Sequence, residues 1–236
     1  AKFFGSDLDH GMSNYHLRTQ PMNDAMWRRN TTDSENRGFK VTASFQDDRG
    51  SWILGADGLA SVHNSDIDNP NNPMFFVTNF NEAERDVYGL FVERQHEFGN
   101  AWSAEFGLRY NRVEMDADEV DGTPAMMMPP AMALRDAFNG ADRQQSDDNI
   151  DAVAKVWYEA NDDLSLYVGL GRKNRSPAYQ ERYLWLPLQA TGGLADGLTY
   201  TGNIELKPEV AHEIELGFDL NSGGLTLSPR LFYRDV

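Results

Sequence analysis

Apolar and polar residues alternate along this chain with a period of two. In "AWSAEFGLRYN", Trp102, Ala104, Phe106, Leu108 and Tyr110 interleave with Ser103, Glu105, Gly107, Arg109 and Asn111. Successive side chains of an extended strand point to opposite faces, so this spacing predicts a strand with one apolar and one polar face. The alternation returns in "NIDAVAKVWYEA", where Ile150, Ala152, Ala154, Val156 and Tyr158 oppose Asp151, Lys155 and Glu159. It returns again with Leu164, Leu166, Val168 and Leu170, with Ile214, Leu216, Phe218 and Leu220, and with Leu225, Leu227, Leu231 and Tyr233. Nine strands follow, at about 1–10, 37–47, 50–63, 84–97, 101–115, 147–160, 163–174, 207–221 and 224–236. Pro229 falls inside the ninth, where it removes a ladder donor.

The connections sharpen the picture. Tight turns at "DDRG" (47–50), "EFGN" (97–100), "ANDD" (160–163) and "NSGG" (221–224) alternate with long connections at about 11–36, 64–83, 116–146 and 174–206. Short turns at one end and long loops at the other are the layout of a transmembrane β-barrel. Aromatic residues near strand ends (Trp52, Phe98, Trp102, Tyr110, Tyr158 and Tyr233) fit an interfacial girdle. The expected fold is therefore all-β, an antiparallel up-and-down meander. Nine strands are not an even closed set, and an open edge cannot face lipid. The whole of 1–236 is thus expected to be one barrel domain in part, a segment of a larger barrel.

Composition narrows the function. The chain has 21 Lys and Arg against 37 Asp and Glu, a formal charge of −16, which argues against a nucleic-acid partner. It has no cysteine, so neither a disulfide nor a thiolate metal site is available within it. No apolar run approaches the ~18 residues of a membrane-spanning helix. "HEIEL" at 212–216 carries Leu216 where a zinc-protease motif has its second histidine, and it lies on a strand. "GLGRKN" (169–174) lacks the third glycine and the following helix of a nucleotide loop. The acidic run 114–122 lacks the spacing of a calcium loop and reads as solvated. No enzyme is expected.

Two stretches carry a resemblance. "GRKNRSPAYQERY" followed by "GNIELKPEVAHEIELGFDL" resembles the barrel of TonB-dependent outer-membrane receptors, through Arg175, Ser176, Pro177, Asn203, Leu206, Lys207, Pro208, Glu209, Glu213, Glu215 and Gly217. The resemblance covers essentially the whole chain. It implies a plugged barrel in the bacterial outer membrane. It also implies a TonB complex that acts through a plug, and contact with lipid and lipopolysaccharide. Within that family, "DLDHGMSNYHLR" resembles the copper receptors, with Asp9, His10, Gly11, Met12, Asn14, Tyr15, Leu17 and Arg18 in register. There the His and Met ligate copper together with a Cys and a Met of the plug, so the resemblance marks His10 and Met12 as metal ligands.

The residue chemistry agrees, because thioether and imidazole donors suit soft Cu(I). His16, Met22 and Met26 in the same stretch are secondary candidates. Seven of nine methionines lie in two connections, although methionine mainly fills apolar gaps. Those at 126, 127, 128 and 132 are expected to pack as a lid. Copper is then a transported ion, with no tightly held cofactor. A ferric-chelate receptor is the alternative, its ligand held by Trp27, Arg28, Arg29, Tyr179, Arg182, Tyr183 and Trp185. An acidic β-sheet binding protein with no transport role is the second alternative.

Overall fold

The structure is a computed structural model that describes residues 1–17, 19–187 and 200–236. Its strands are β1 (Lys2–Ser13), β2 (Arg29–Asp47), β3 (Gly50–Asn69), β4 (Asn72–Glu97), β5 (Trp102–Asp116), β6 (Gln145–Asn161), β7 (Leu164–Arg175), β8 (Glu209–Ser222), β9 (Leu225–Leu227) and β10 (Arg230–Asp235). Each strand pairs antiparallel with the next in sequence from β1 to β8, and β9 and β10 both pair with β8. The result is one unclosed meander, as the alternation predicted.

Three expectations need correction. The ninth strand is split in two, giving ten. Pro229 has no N–H to give the ladder, so β9 stops at Leu227 and β10 starts at Arg230. The long connection at 64–83 does not exist. β3 and β4 run on until Asn69 pairs with Asn72 across a two-residue turn. The polar composition of 64–83 imitates a loop, but here it clothes a hairpin that stands clear of the membrane. β4 has 26 residues, against the ~9–11 that cross a bilayer. Likewise β2 starts at Arg29 rather than near 37.

Register assigns the faces. Tyr110 pairs with Leu90 and Ile150, Leu108 with Val92 and Ala152, Val168 with Val156 and Leu216, and Leu166 with Phe218. Directly paired residues share a face. Leu90, Leu108, Ile150, Leu170 and Leu216 are each about half exposed or more. Such a contiguous exposed apolar band marks a lipid-facing surface. Phe45 with Trp52 (6.4 Å) and Trp102 with Tyr158 (4.5 Å) rim it at the tight-turn end.

The opposite face holds the charges. Arg109 grips Asp57 with two bonds of 2.6 and 2.7 Å. Lys155 reaches Glu105 at 3.4 Å, and Arg230 holds Asp219. Glu105, Arg109, Asp151, Lys155, Glu213, Glu215 and Asp219 all fall on this inner face, by the same pairing.

Above the apolar band the inner side becomes a true core. Ile67, Val77, Phe80, Ala83, Val113 and Met115 pack against the connection between β5 and β6, which forms α1 (Thr123–Met127) and α2 (Pro129–Gly140). Tyr183, at the end of the short helix α3 (Tyr179–Tyr183), and Leu184, Trp185 and Leu186 after it close over them. Phe80 and Ala83 are both buried although three residues apart, which strict alternation forbids. A bulge in β4 makes it possible: the register shifts between His63 and Ser65, and Glu82 sits at φ 46°.

Neighbouring residues on β7 provide the test of the faces. Leu170→Arg, on the apolar face, should cost about 2–4 kcal/mol in unfolding from lipid vesicles, the range for a charge near the bilayer midplane. Gly171→Arg, on the inner face beside Glu213, should cost far less. Equal losses would refute the assignment.

Candidate functional site on the inner wall

β1 continues as a strand through Ser13, so His10 and Met12 project to one side. Their partners are Thr32 and Asn30 on β2. Lys2 shares their parity and pairs with Lys40, which pairs with Asp57 of the charged lattice. His10 and Met12 therefore lie on the inner face, and Asp9, paired with Asp33, lies on the other. Met12 is half exposed, and Thr32 donates from Oγ1 to the His10 carbonyl at 3.2 Å.

The connection after β1 is clipped in two places. Asn14 donates to the Met26 carbonyl and accepts from the Arg28 N–H, at 3.0 and 2.9 Å. Tyr15 is buried and stacks on Trp27, with centroids 4.6 Å apart and planes 12° apart. The secondary candidates are not gathered with the first pair. His16 leans on Tyr15, and its Nδ1 lies 3.0 Å from Ser13 Oγ. Met22 is fully exposed, and Met26 stands exposed on a single 3-10 turn, Asp24–Met26. Arg18 lies outside the described residues. Among the described residues, no three His, Asp or Glu side chains converge to hold a metal. His10 and Met12 thus offer two soft donors from the wall.

Met126, Met127, Met128 and Met132 do not pack against the described loops. All four are exposed, while Pro124, Ala125, Ala131 and Phe138 bury the inner sides of α1 and α2. Helix periodicity explains this, since the buried positions take the face turned to the core. The acidic run 114–122 is solvated only in part: Met115, Ala117 and Val120 are core residues.

The residues suggested for a chelate are mostly engaged elsewhere. Arg182 and Asp147 form a buried ion pair, with Nη2 bonded to both carboxylate oxygens at 2.9 and 3.0 Å. The same nitrogen also reaches the Leu206 carbonyl at 2.8 Å. Tyr183 donates to the Arg143 carbonyl, and Trp185 donates from Nε1 to the Thr78 carbonyl at 2.9 Å. Arg28 lies over the Phe75 ring at 3.8 Å, and Arg29 pairs with Asp68. These contacts fold the long loops into a cap. Only the chelate alternative takes these cap residues as ligand contacts. The amphipathic stretch "SPAYQERYLW", recognisable as a short helix, was the signal for packing instead.

His63 joins the cap to the wall. Its ring lies 4.6 Å from Tyr179 and 5.6 Å from Phe80, with Nδ1 2.5 Å from Ser34 Oγ. Burial pushes the imidazole below its ordinary pKa, against a smaller opposing pull from Asp33.

An open-ended antiparallel meander with an apolar outer band, a charged inner wall and loops folded over one end is the wall of an outer-membrane barrel. The chain belongs to the TonB dependent receptor-like, beta-barrel family, whose profile matches residues 2–236. Its compartment is the bacterial outer membrane, where that family resides. No curated protein sequence matches it. Among solved structures, the copper transporter OprC superposes with TM-score 0.73 at 20% identity, covering 98% of this chain and 34% of that one. A double mutant of the Serratia marcescens hemophore receptor HasR, in complex with its hemophore HasA and heme, gives 0.54 at 17%, covering 98% and 39%. The ferric citrate transporter FecA in its unliganded form gives 0.51 at 13%, covering 88% and 28%. The chain spans about a third of the length of these structures, and they agree with it in fold.

The cap generates a prediction with a definite sign. Because the folded-state pKa of His63 is depressed, the unfolded state binds the proton more readily. The stability that neutral His63 lends is present above its ordinary pKa of about 6.5 and is lost as the pH falls through the lower folded value. Proteolysis near Tyr179 should therefore quicken from pH 7.5 to pH 5. His63→Phe should flatten that dependence. An unchanged pH profile in the variant would remove His63 from the joint.

Proposed function

We propose that the chain forms part of the wall of a TonB-dependent importer for a soft metal ion, copper in its reduced state. The observation that carries this reading is the placement of His10 and Met12 two residues apart on one inner-facing edge of β1. Imidazole and thioether are the donors that Cu(I) prefers over hard oxygen ligands. Two such donors leave coordination positions for donors from a plug within the barrel. The cargo named for OprC points the same way.

Transport then needs a plug that couples to TonB and blocks the lumen until the ion is passed on. Residues 1–236 form one part of the barrel of such a receptor, with plug and closing strands supplied by other segments. The inner wall contributes position more than reactivity. Strand pairing holds the two donors at fixed spacing, and the half exposure of Met12 leaves the thioether free to meet an incoming ion.

The ferric-chelate alternative loses ground on one observation. Arg182, Tyr183 and Trp185 are almost wholly buried and their polar groups are bonded within the cap. Burial removes them from any solute that arrives with the cap closed.

The test is copper content of the receptor in detergent, purified under reducing conditions. His10→Ala and Met12→Ala should each lower bound copper about tenfold or more, with the barrel still folded. Met127→Ala, on the exposed helical surface, should leave it unchanged. Parent-level copper in both first variants would sink the site and favour the chelate reading.

A further inference from the structure

The inner wall carries a second, chemically different feature. Below the cap lies a cavity of about 480 Å³ lined by residues of β1 to β7 and by Ser176 just after β7. Its charged lining is Lys40, Asp57, Arg85 and Arg175. Two of these are already neutralised. Asp57 is held by both terminal nitrogens of Arg109. Arg175 is clamped by Glu181 and Glu209, whose paired carboxylates raise its pKa well above the ordinary arginine value.

Lys40 and Arg85 are different. Among the described residues neither makes an ion pair. The Lys40 ammonium lies 5.3 Å from the centre of the Phe91 ring, and Asp57, its nearest carboxylate by register, is committed to Arg109. The Arg85 Nε is buried with no hydrogen-bond partner. The carboxylate whose field it feels, Asp147, already receives both its bonds from Arg182. A chain with a formal charge of −16 thus keeps two cations outside any described ion pair on the lining of one cavity. An uncompensated, partly buried guanidinium costs free energy that a bound anion returns.

Polar groups for orientation are also present. Asn111 and Asn149 line the same cavity, and Asn149 donates to Ser176 Oγ at 2.8 Å. The planar fork of Arg85 matches a carboxylate in two-point contact, and Lys40 adds a second positive charge to the same lining.

We propose that this cavity binds a carboxylate, held by Arg85 and Lys40. The carboxylate belongs either to an acidic side chain of a segment that fills the lumen or to a carboxylate-bearing solute in transit. The chemistry is the same for both, and it stands independently of the metal reading, since neither cation can ligate a metal.

The experiment uses the whole receptor in detergent. Carbodiimide joins an amine to a carboxylate with no added atoms, so the native Lys40 amine reports its neighbour by peptide mass spectrometry. In parallel, citrate is titrated calorimetrically into the parent, Arg85→Gln and Arg85→Lys. Coupling of Lys40 to an Asp or Glu outside residues 1–236, reduced in Arg85→Gln, supports the site and assigns the carboxylate to a lumen-filling segment. Citrate binding that falls about tenfold in Arg85→Gln, the scale of one charge-assisted bond, and partly recovers in Arg85→Lys, supports it and assigns a solute. The proposal is overturned if Lys40 couples only to Asp57 or remains free and citrate binds no differently in the variants.

Discussion

Everything in this molecule depends on one constraint: a sheet whose two faces meet different solvents must keep strict parity along every strand. Backbone hydrogen bonds are satisfied by the neighbouring strand, because lipid offers no partner for them. Side-chain choice is then fixed by position alone. An odd residue on β5 must suit the inner wall and an even one the lipid. Leu108 and Arg109 are adjacent in sequence, yet one lies in the apolar band and the other holds Asp57. A one-residue slip would exchange them and every residue in register with them. The ion pairs of the inner wall lock that register in a way the lipid face, with its interchangeable aliphatic residues, cannot.

Parity is relaxed only where the strands leave the membrane. There the inner side must fill a cap instead of lining a lumen, and the bulge in β4 supplies two inward residues where alternation allows one. The cap contains its own electrostatic anchor, Arg182 on Asp147, shielded from water on both sides. A buried pair of this kind contributes little to net stability but makes the wrong docking of the loop very costly, because either partner alone would be an unpaired buried charge. Loop position is thereby tied to β6. Arg143 extends the tie, donating to the carbonyls of Ala117 and Asn139 where α2 ends.

Much of this was legible in the sequence. Period-two runs fixed the strands from β5 to β8 and the face of each residue, since nothing but a strand has that period. The tight turns were equally clear. What could not be read was any element in which polarity and structure part company. The stretch 64–83 is polar because it stands in water, and it is still a hairpin. Phe80, Ala83, Arg182 and Trp185 obey no simple period, because a bulge and a cap position them. The His10–Met12 pair was visible as chemistry, but its shared face depended on where β1 ends.

Had the chain turned at His10, the imidazole and the thioether would have diverged. The strand persists to Ser13 because the return strand is held to meet it. Asn14 bonds both sides of the connection, and Tyr15 stacks on Trp27, so β2 starts at Arg29 directly opposite Ser13. The aromatic clip and the asparagine are therefore positioning residues for the pair two and four positions away. Asn14 and Tyr15 stand beside the His-x-Met element in the sequence, and the structure gives them a physical task there. They close the loop tightly enough that the His10 and Met12 side chains stay on one face.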